Sequence, residues 1–149
     1  MTQNDFLNNL REAKAAHIRW HALAKQLAMG LSNDDNLPKM YTDCTFGKWF
    51  YRSGQFISNL PGFSEIEPLH IELHDTYAKI YQMYLSPVKK KLFSSTNKAE
   101  KIKTDNLNLL VDDLKKTSTA LIDKIDKLEK SILSFDKDEF VNVIITPQK

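Results

Sequence analysis

Residues 107–135 read LNLLVDDLKKTSTALIDKIDKLEKSILSF. Leu107, Leu110, Leu114, Ser118, Leu121, Ile125, Leu128, Ile132 and Phe135 recur in steps of three and four, which lays them along one stripe of a helix. Between them stand Asp, Lys, Glu, Ser and Thr, the composition of a solvated face. The pattern predicts one long helix from about Lys98 to Phe135. A stripe of that length has to be covered by other elements, so the search for partners moves outward from it.

Upstream, two further stripes answer it. From Asp5 to Met29, Leu10, Ala13, His17, Trp20, Ala24 and Leu27 keep the same spacing, and Leu31 extends it. From Ser64 to Leu85, the inward positions are Ile66, His70, Leu73, Tyr77, Ile80 and Tyr84. Pro68 fits there because it lies in a first turn, where backbone donors lack helical partners anyway. A short helix is expected from about Thr42 to Arg52, with Thr42 or Asp43 as N-cap and Gly54 as terminator. Gly30, Ser32-Asn33-Asp34-Asp35-Asn36 with Pro38, Pro61-Gly62, Ser86-Pro87 and Ser94-Ser95-Thr96-Asn97 mark the turns and loops. The fold class that follows is all-α: a four-helix bundle with three long helices and one short helix carrying Cys44. The expected organisation is a single bundle over residues 1–140 and a tail over 141–149, whose start is β-prone.

Composition narrows the function. Hydrophobic residues make up 42% and charged residues 27% of the 149, the balance of a soluble domain able to bury a core without disulfides. The formal charge of +2 is spread among both signs, which argues against a nucleic-acid partner. Lys89-Lys90-Lys91 reads as a solvated loop. Met1-Thr2-Gln3-Asn4-Asp5 is polar and unlike a secretory signal. No apolar stretch approaches the roughly 18–20 residues that membrane insertion requires. The chain is expected in the cytoplasm, where its lone thiol stays reduced.

The four histidines form two pairs at four-residue spacing, His17 with His21 and His70 with His74. On a helix each pair shares one face, and His17 and His70 fall on the inward stripes. Buried imidazoles need partners for their ring nitrogens, and a metal ion can supply one to several at once. Core histidines bonded to backbone carbonyls satisfy the same need, so spacing alone leaves both readings open. Cys44 adds a soft donor at the start of a short helix, where free amides favour a thiolate. One thiolate with three imidazoles suits tetrahedral Zn²⁺. A cysteine can also be a small buried hydrophobe.

Cys44-Thr45-Phe46-Gly47-Lys48-Trp49-Phe50 resembles the signature of the chemoreceptor zinc-binding domain family. In that family a first-helix histidine precedes a large residue, a cysteine-containing stretch with glycine follows, and an H-x-x-x-H pair closes the pattern. Here the elements are His17 with Trp20, Cys44 to Trp49, and His70-Ile71-Glu72-Leu73-His74, over roughly residues 10–85. The resemblance implies zinc ligands His17, Cys44, His70 and His74, with His17 rather than His21 from the first helix. It also implies redox sensitivity at Cys44 and a homodimer, for which Phe50, Tyr51 and Phe56 are candidate contacts. The implied function is a sensory or regulatory domain answering to zinc or oxidants. Its output would pass to a signalling protein in trans, of chemoreceptor or diguanylate cyclase type. Trp20, Phe46 and Trp49 are expected to wall the site from water. Gly47 is expected to let the short helix approach the two longer ones.

Three alternatives compete: a metal-free helical dimerisation or interaction module, a thiol redox sensor without zinc, and an enzyme. For the last, the metalloprotease pattern H-E-x-x-H needs Glu directly after the first histidine, where this chain has Ile71. Neither an oxyanion site beside Cys44 nor inward Glu-x-x-His pairs of a di-iron bundle can be read. The expectation is a non-enzyme.

Overall fold

The computed structural model describes residues 1–31, 37–87 and 96–144. Among the described residues five helices run α1 Gln3–Ala28, α2 Thr45–Phe50, α3 Ile66–Leu85, α4 Thr96–Leu133 and α5 Lys137–Val143, with 3₁₀ turns at Ser53–Ile57 and Phe63–Glu65. Among the described residues there is no strand. The loop residues Ser32 to Asn36, Lys89-Lys90-Lys91 and Ser94-Ser95, and the tail from 145 on, lie outside the described residues.

α4 is the spine of the molecule, as its stripe predicts. Leu107, Leu114, Ser118, Leu121, Ile125, Leu128 and Ile132 are buried, while Leu110 and Phe135 are half-buried. α3 forms its most extensive helix contact with α4, and α1 also packs along α4. Both run antiparallel to it. Glu65 pairs with Lys124, Glu72 accepts from Thr117, and Lys103 donates to the Tyr84 carbonyl. For α1, the Gln3 amide donates to the carbonyls of Ile132 and Phe135, Arg11 pairs with Glu129, and Lys14 with Asp126. Such surface pairs contribute at most about 1 kcal/mol each; they mark register, while the apolar stripes supply the stability.

The inward stripe of α1 is buried at Leu10, Ala13, His17, Trp20, Ala24 and Leu27. It does not continue to Leu31. The helix ends at Ala28, Gly30 adopts φ +69°, and Leu31 is left 72% exposed. A left-handed glycine after a helix turns the chain off the helix axis, which carries Leu31 away from the stripe.

The short helix is shorter than expected. It spans Thr45–Phe50, and its N-cap is Cys44 itself rather than Thr42 or Asp43. Gly54 sits in the following 3₁₀ turn against Trp49 and does not end α2. Within α2, Phe46, Trp49 and Phe50 are buried. Phe50 stacks on Phe63 with ring centroids 4.5 Å apart, so it belongs to the interior of the chain and offers nothing to a second copy.

α5 replaces the β-prone stretch. Asp136 accepts from the amides of Asp138 and Glu139, while the Glu139 carboxylate accepts from the Asp136 amide. This reciprocal cap nucleates a helix, and Phe140, fully buried edge-on to Phe6 at 5.6 Å, anchors it. Local capping and one aromatic anchor outweigh the β propensity of Val141 and Val143.

Truncating Leu121 at the centre of the α4 stripe should cost about 2–5 kcal/mol in denaturant unfolding. Leu109→Ala on the same helix, where the side chain is 63% exposed, should shift it by less than about 0.5 kcal/mol.

Candidate metal centre

The α2 cap and α3 deliver donors to one buried point, and α1 sets His17 beside it. Cys44, His70 and His74 each present a ligand atom, and these atoms lie within 4.8 Å of one another. The Cys44 Sγ is 3.2 Å from His70 Nε2. It also accepts from the Gly47 amide at 3.2 Å, which is the N-cap bond that starts α2. The capping geometry that places α2 therefore aims the sulfur.

His74 is oriented from behind. Its Nδ1 stands 3.0 Å from the Lys39 carbonyl oxygen. A carbonyl can only accept, so the proton sits on Nδ1 and the lone pair on Nε2. That Nε2 is buried and has no hydrogen-bond partner among the described residues. A histidine whose distal N–H is held by a carbonyl while its other nitrogen is free is the usual arrangement of a metal ligand.

His17 lies beside this group without being one of the three converged donors. It is 3% exposed, its ring is 6.1 Å from that of His70, and its Nε2 too lacks a partner among the described residues. His70 Nδ1 is likewise without one. An unpaired buried polar atom costs about 1–3 kcal/mol. Imidazole nitrogens left in this condition beside a sulfur fit a bound cation better than a satisfied core. His21 is half-buried and is not drawn into the cluster.

Aromatic rings enclose the donors. Trp20 lies 4.7 Å from the His74 ring and stacks on His17 at 5.8 Å. Phe46 is 4.8 Å from His70. Trp49 packs on Phe46 at 5.6 Å, one layer behind the histidines. Gly47 is required for a reason different from the expected one. A Cβ there would fall 1.8 Å from the Tyr41 carbonyl oxygen, so the close approach is to the turn before α2 and not to the long helices.

Electrostatics agree with neutral imidazoles. Burial, reinforced by His74, pushes the His70 pKa down to about 3, and the same two causes take His17 to about 4. His74 is also lowered by burial, opposed by its bond to Lys39. The thiolate expected at Cys44 is not favoured by the protein alone. Burial raises its pKa, and the amides of Gly47 and Phe46 only partly offset that. A bound cation would ionise the sulfur.

Residues 17–81 match the family model of the chemoreceptor zinc-binding domain. The match begins at His17 and takes in Cys44, His70 and His74. No curated protein and no solved structure matched the chain. The chemoreceptor zinc-binding match and the buried Cys-His-His group together fit a zinc-binding sensory domain. Among the described residues, no helix is long and apolar enough to cross a membrane.

Sequence reasoning missed Lys39, whose carbonyl orients His74, because a backbone acceptor leaves no mark in residue type. It also missed that Cys44 caps its own helix.

Two outcomes follow from this geometry. Gly47→Ala should destabilise the protein by about 1–3 kcal/mol in chemical unfolding, since backbone has to move. Metal-free protein should lose stability as pH falls from 7 to 5. The unfolded chain takes up protons near pH 6.5, whereas folded His17 and His70 resist them down to about 4 and 3. Their contribution is therefore complete above pH 6.5 and shrinks below it. A urea midpoint that stays level across that window would refute the assignment of neutral buried histidines.

Proposed function

We propose that the chain is a zinc-binding sensory domain in which His17, Cys44, His70 and His74 together hold one Zn²⁺. The observation that carries this reading is the convergence of Cys44, His70 and His74 in the interior, with the Nε2 of His74 free and turned away from its backbone acceptor. The unpartnered Nε2 of His17, whose ring lies 6.1 Å from that of His70, supports it as the fourth ligand. One thiolate and three imidazoles give a closed tetrahedral set, which suits a structural or regulatory ion and leaves no position for substrate. Bound zinc supplies a cross-link between α1, the α2 cap and α3 and lowers the pKa of the Cys44 thiol.

The consequence for regulation lies in the segment around Cys44. Zinc binding in small peptides is worth on the order of 10 kcal/mol, comparable with the stability of a whole domain. The leucine core along α4 does not depend on it. α2 itself also buries Phe46, Trp49 and Phe50. Loss of the ion, or oxidation of Cys44, therefore loosens the cap and the preceding turn while the long helices stay packed. A local two-state element of this kind reports the zinc or redox state to a partner.

In this reading the long helices α1, α3 and α4 with α2 make up the four-helix bundle, and the domain is not an enzyme. It acts as a homodimer in the cytoplasm, on a signalling protein in trans of chemoreceptor or diguanylate cyclase type. The chemoreceptor zinc-binding match supports this assignment to chemotaxis or cyclic-di-GMP control.

Zinc content of tag-free protein is the direct measurement. Wild type should carry about one zinc per chain, and Cys44→Ser and His74→Ala should carry less. Wild-type protein that takes up no zinc at neutral pH would return the histidines to the role of core residues.

A further inference from the structure

The turn before α2 is fastened to the two helices that carry the histidines, and only part of that fastening involves a zinc ligand. Trp20 on α1 donates its indole N–H to the Pro38 carbonyl at 3.3 Å. His74 on α3 holds the Lys39 carbonyl. The third attachment is the Lys39 side chain, whose ammonium lies 3.8 Å from the centroid of the Tyr81 ring. His70, His74, Tyr77 and Tyr81 follow one another at steps of four, three and four, along one face of α3. Trp20 packs edge-on to Tyr77 at 4.9 Å, between the other contacts. The backbone of Lys39 is thus bonded to a zinc ligand while its side chain is pinned two turns further along the same helix.

On the reading that zinc binds here, we infer that Lys39 and Tyr81 are positioning residues of the metal centre. Their cation–π contact holds the Lys39 carbonyl where it accepts from His74 Nδ1 and so keeps the His74 Nε2 lone pair turned toward the ion. Neither side chain touches the metal. Lys39 is exposed, and Tyr81 is half-buried at the edge of the core beside Tyr77. The contact has two interchangeable chemical requirements: a cation at position 39 and an aromatic face at position 81. An imidazole that loses its carbonyl partner is free to rotate or to change tautomer, and metal affinity falls with it.

The test is zinc affinity by competition with a chromogenic chelator, in wild type, Tyr81→Leu, Tyr81→Phe, Lys39→Met, Lys39→Arg and the double variant Lys39→Met/Tyr81→Leu. A cation–π contact at an exposed site predicts a loss of affinity of roughly two- to fivefold in Tyr81→Leu and in Lys39→Met. Tyr81→Phe and Lys39→Arg, which keep the ring and the charge, should stay near wild type. The double variant should be no weaker than the weaker single one, because both lose the same contact. Thermal unfolding of each metal-free variant, recorded alongside, identifies a general loss of stability. Unchanged zinc affinity in Tyr81→Leu, or equal losses in Tyr81→Leu and Tyr81→Phe, would overturn the inference even with wild-type zinc binding intact. Wild-type protein that binds no zinc overturns the metal reading and this inference with it.

Discussion

Four polar side chains from distant parts of the chain are buried against one another with too few protein partners to satisfy them. His17, Cys44, His70 and His74 are each 6% exposed or less, and the apolar stripe along α4 is buried apart from them. An interior that could have been filled by leucine instead holds imidazoles with unpartnered ring nitrogens and a sulfur without a charge partner. Such a cluster is costly in an apolar surrounding, and a divalent cation removes the cost at a stroke by taking the lone pairs and ionising the thiol. Much of the local architecture becomes intelligible as the means of bringing those donors together.

The means are ordinary. α1 and α3 both lie antiparallel to α4, which places His17 and His70 at matching heights on neighbouring helices. The sulfur is set by a helix cap, with the Gly47 amide holding it in place. The imidazole of His74 is set by a backbone carbonyl in a turn. Aromatic side chains pack around the donors, each of them 6% exposed or less, so an ion's interactions there would be weakly screened. The leucine stripe of α4 supplies the core, while the proposed function assigns the response to the ion to the turn and cap around Cys44.

Burial also makes the apo centre a poor anion and a poor base, with histidines resisting protonation and the thiol resisting ionisation. In the proposed reading zinc would change the charge of this group by ionising the thiol, and the turn holding Pro38, Lys39 and Tyr41, where it meets α2, is the segment that would respond.

Periodicity alone determined that the chain is helical, where its long helices lie and which stripes face inward, because an apolar stripe at helical spacing has few ways to leave water. Residue type and order also marked the two histidine pairs and Cys44 as candidates, and the resemblance to the chemoreceptor zinc-binding signature implied His17, Cys44, His70 and His74 among them. The D-x-x-E pattern at Asp136 and Glu139 was open to the same reading and predicts α5, although the β-branched residues after it pointed the other way. Tertiary structure decided what depends on distance between segments remote in sequence. It left His17 just outside the three converged donors, buried Phe50 inside the chain and turned Leu31 out to solvent. It also set the backbone of Tyr41 against Gly47 and that of Lys39 against His74. Backbone carbonyls are the same at every residue, and only the fold determines which of them meets a glycine or an imidazole.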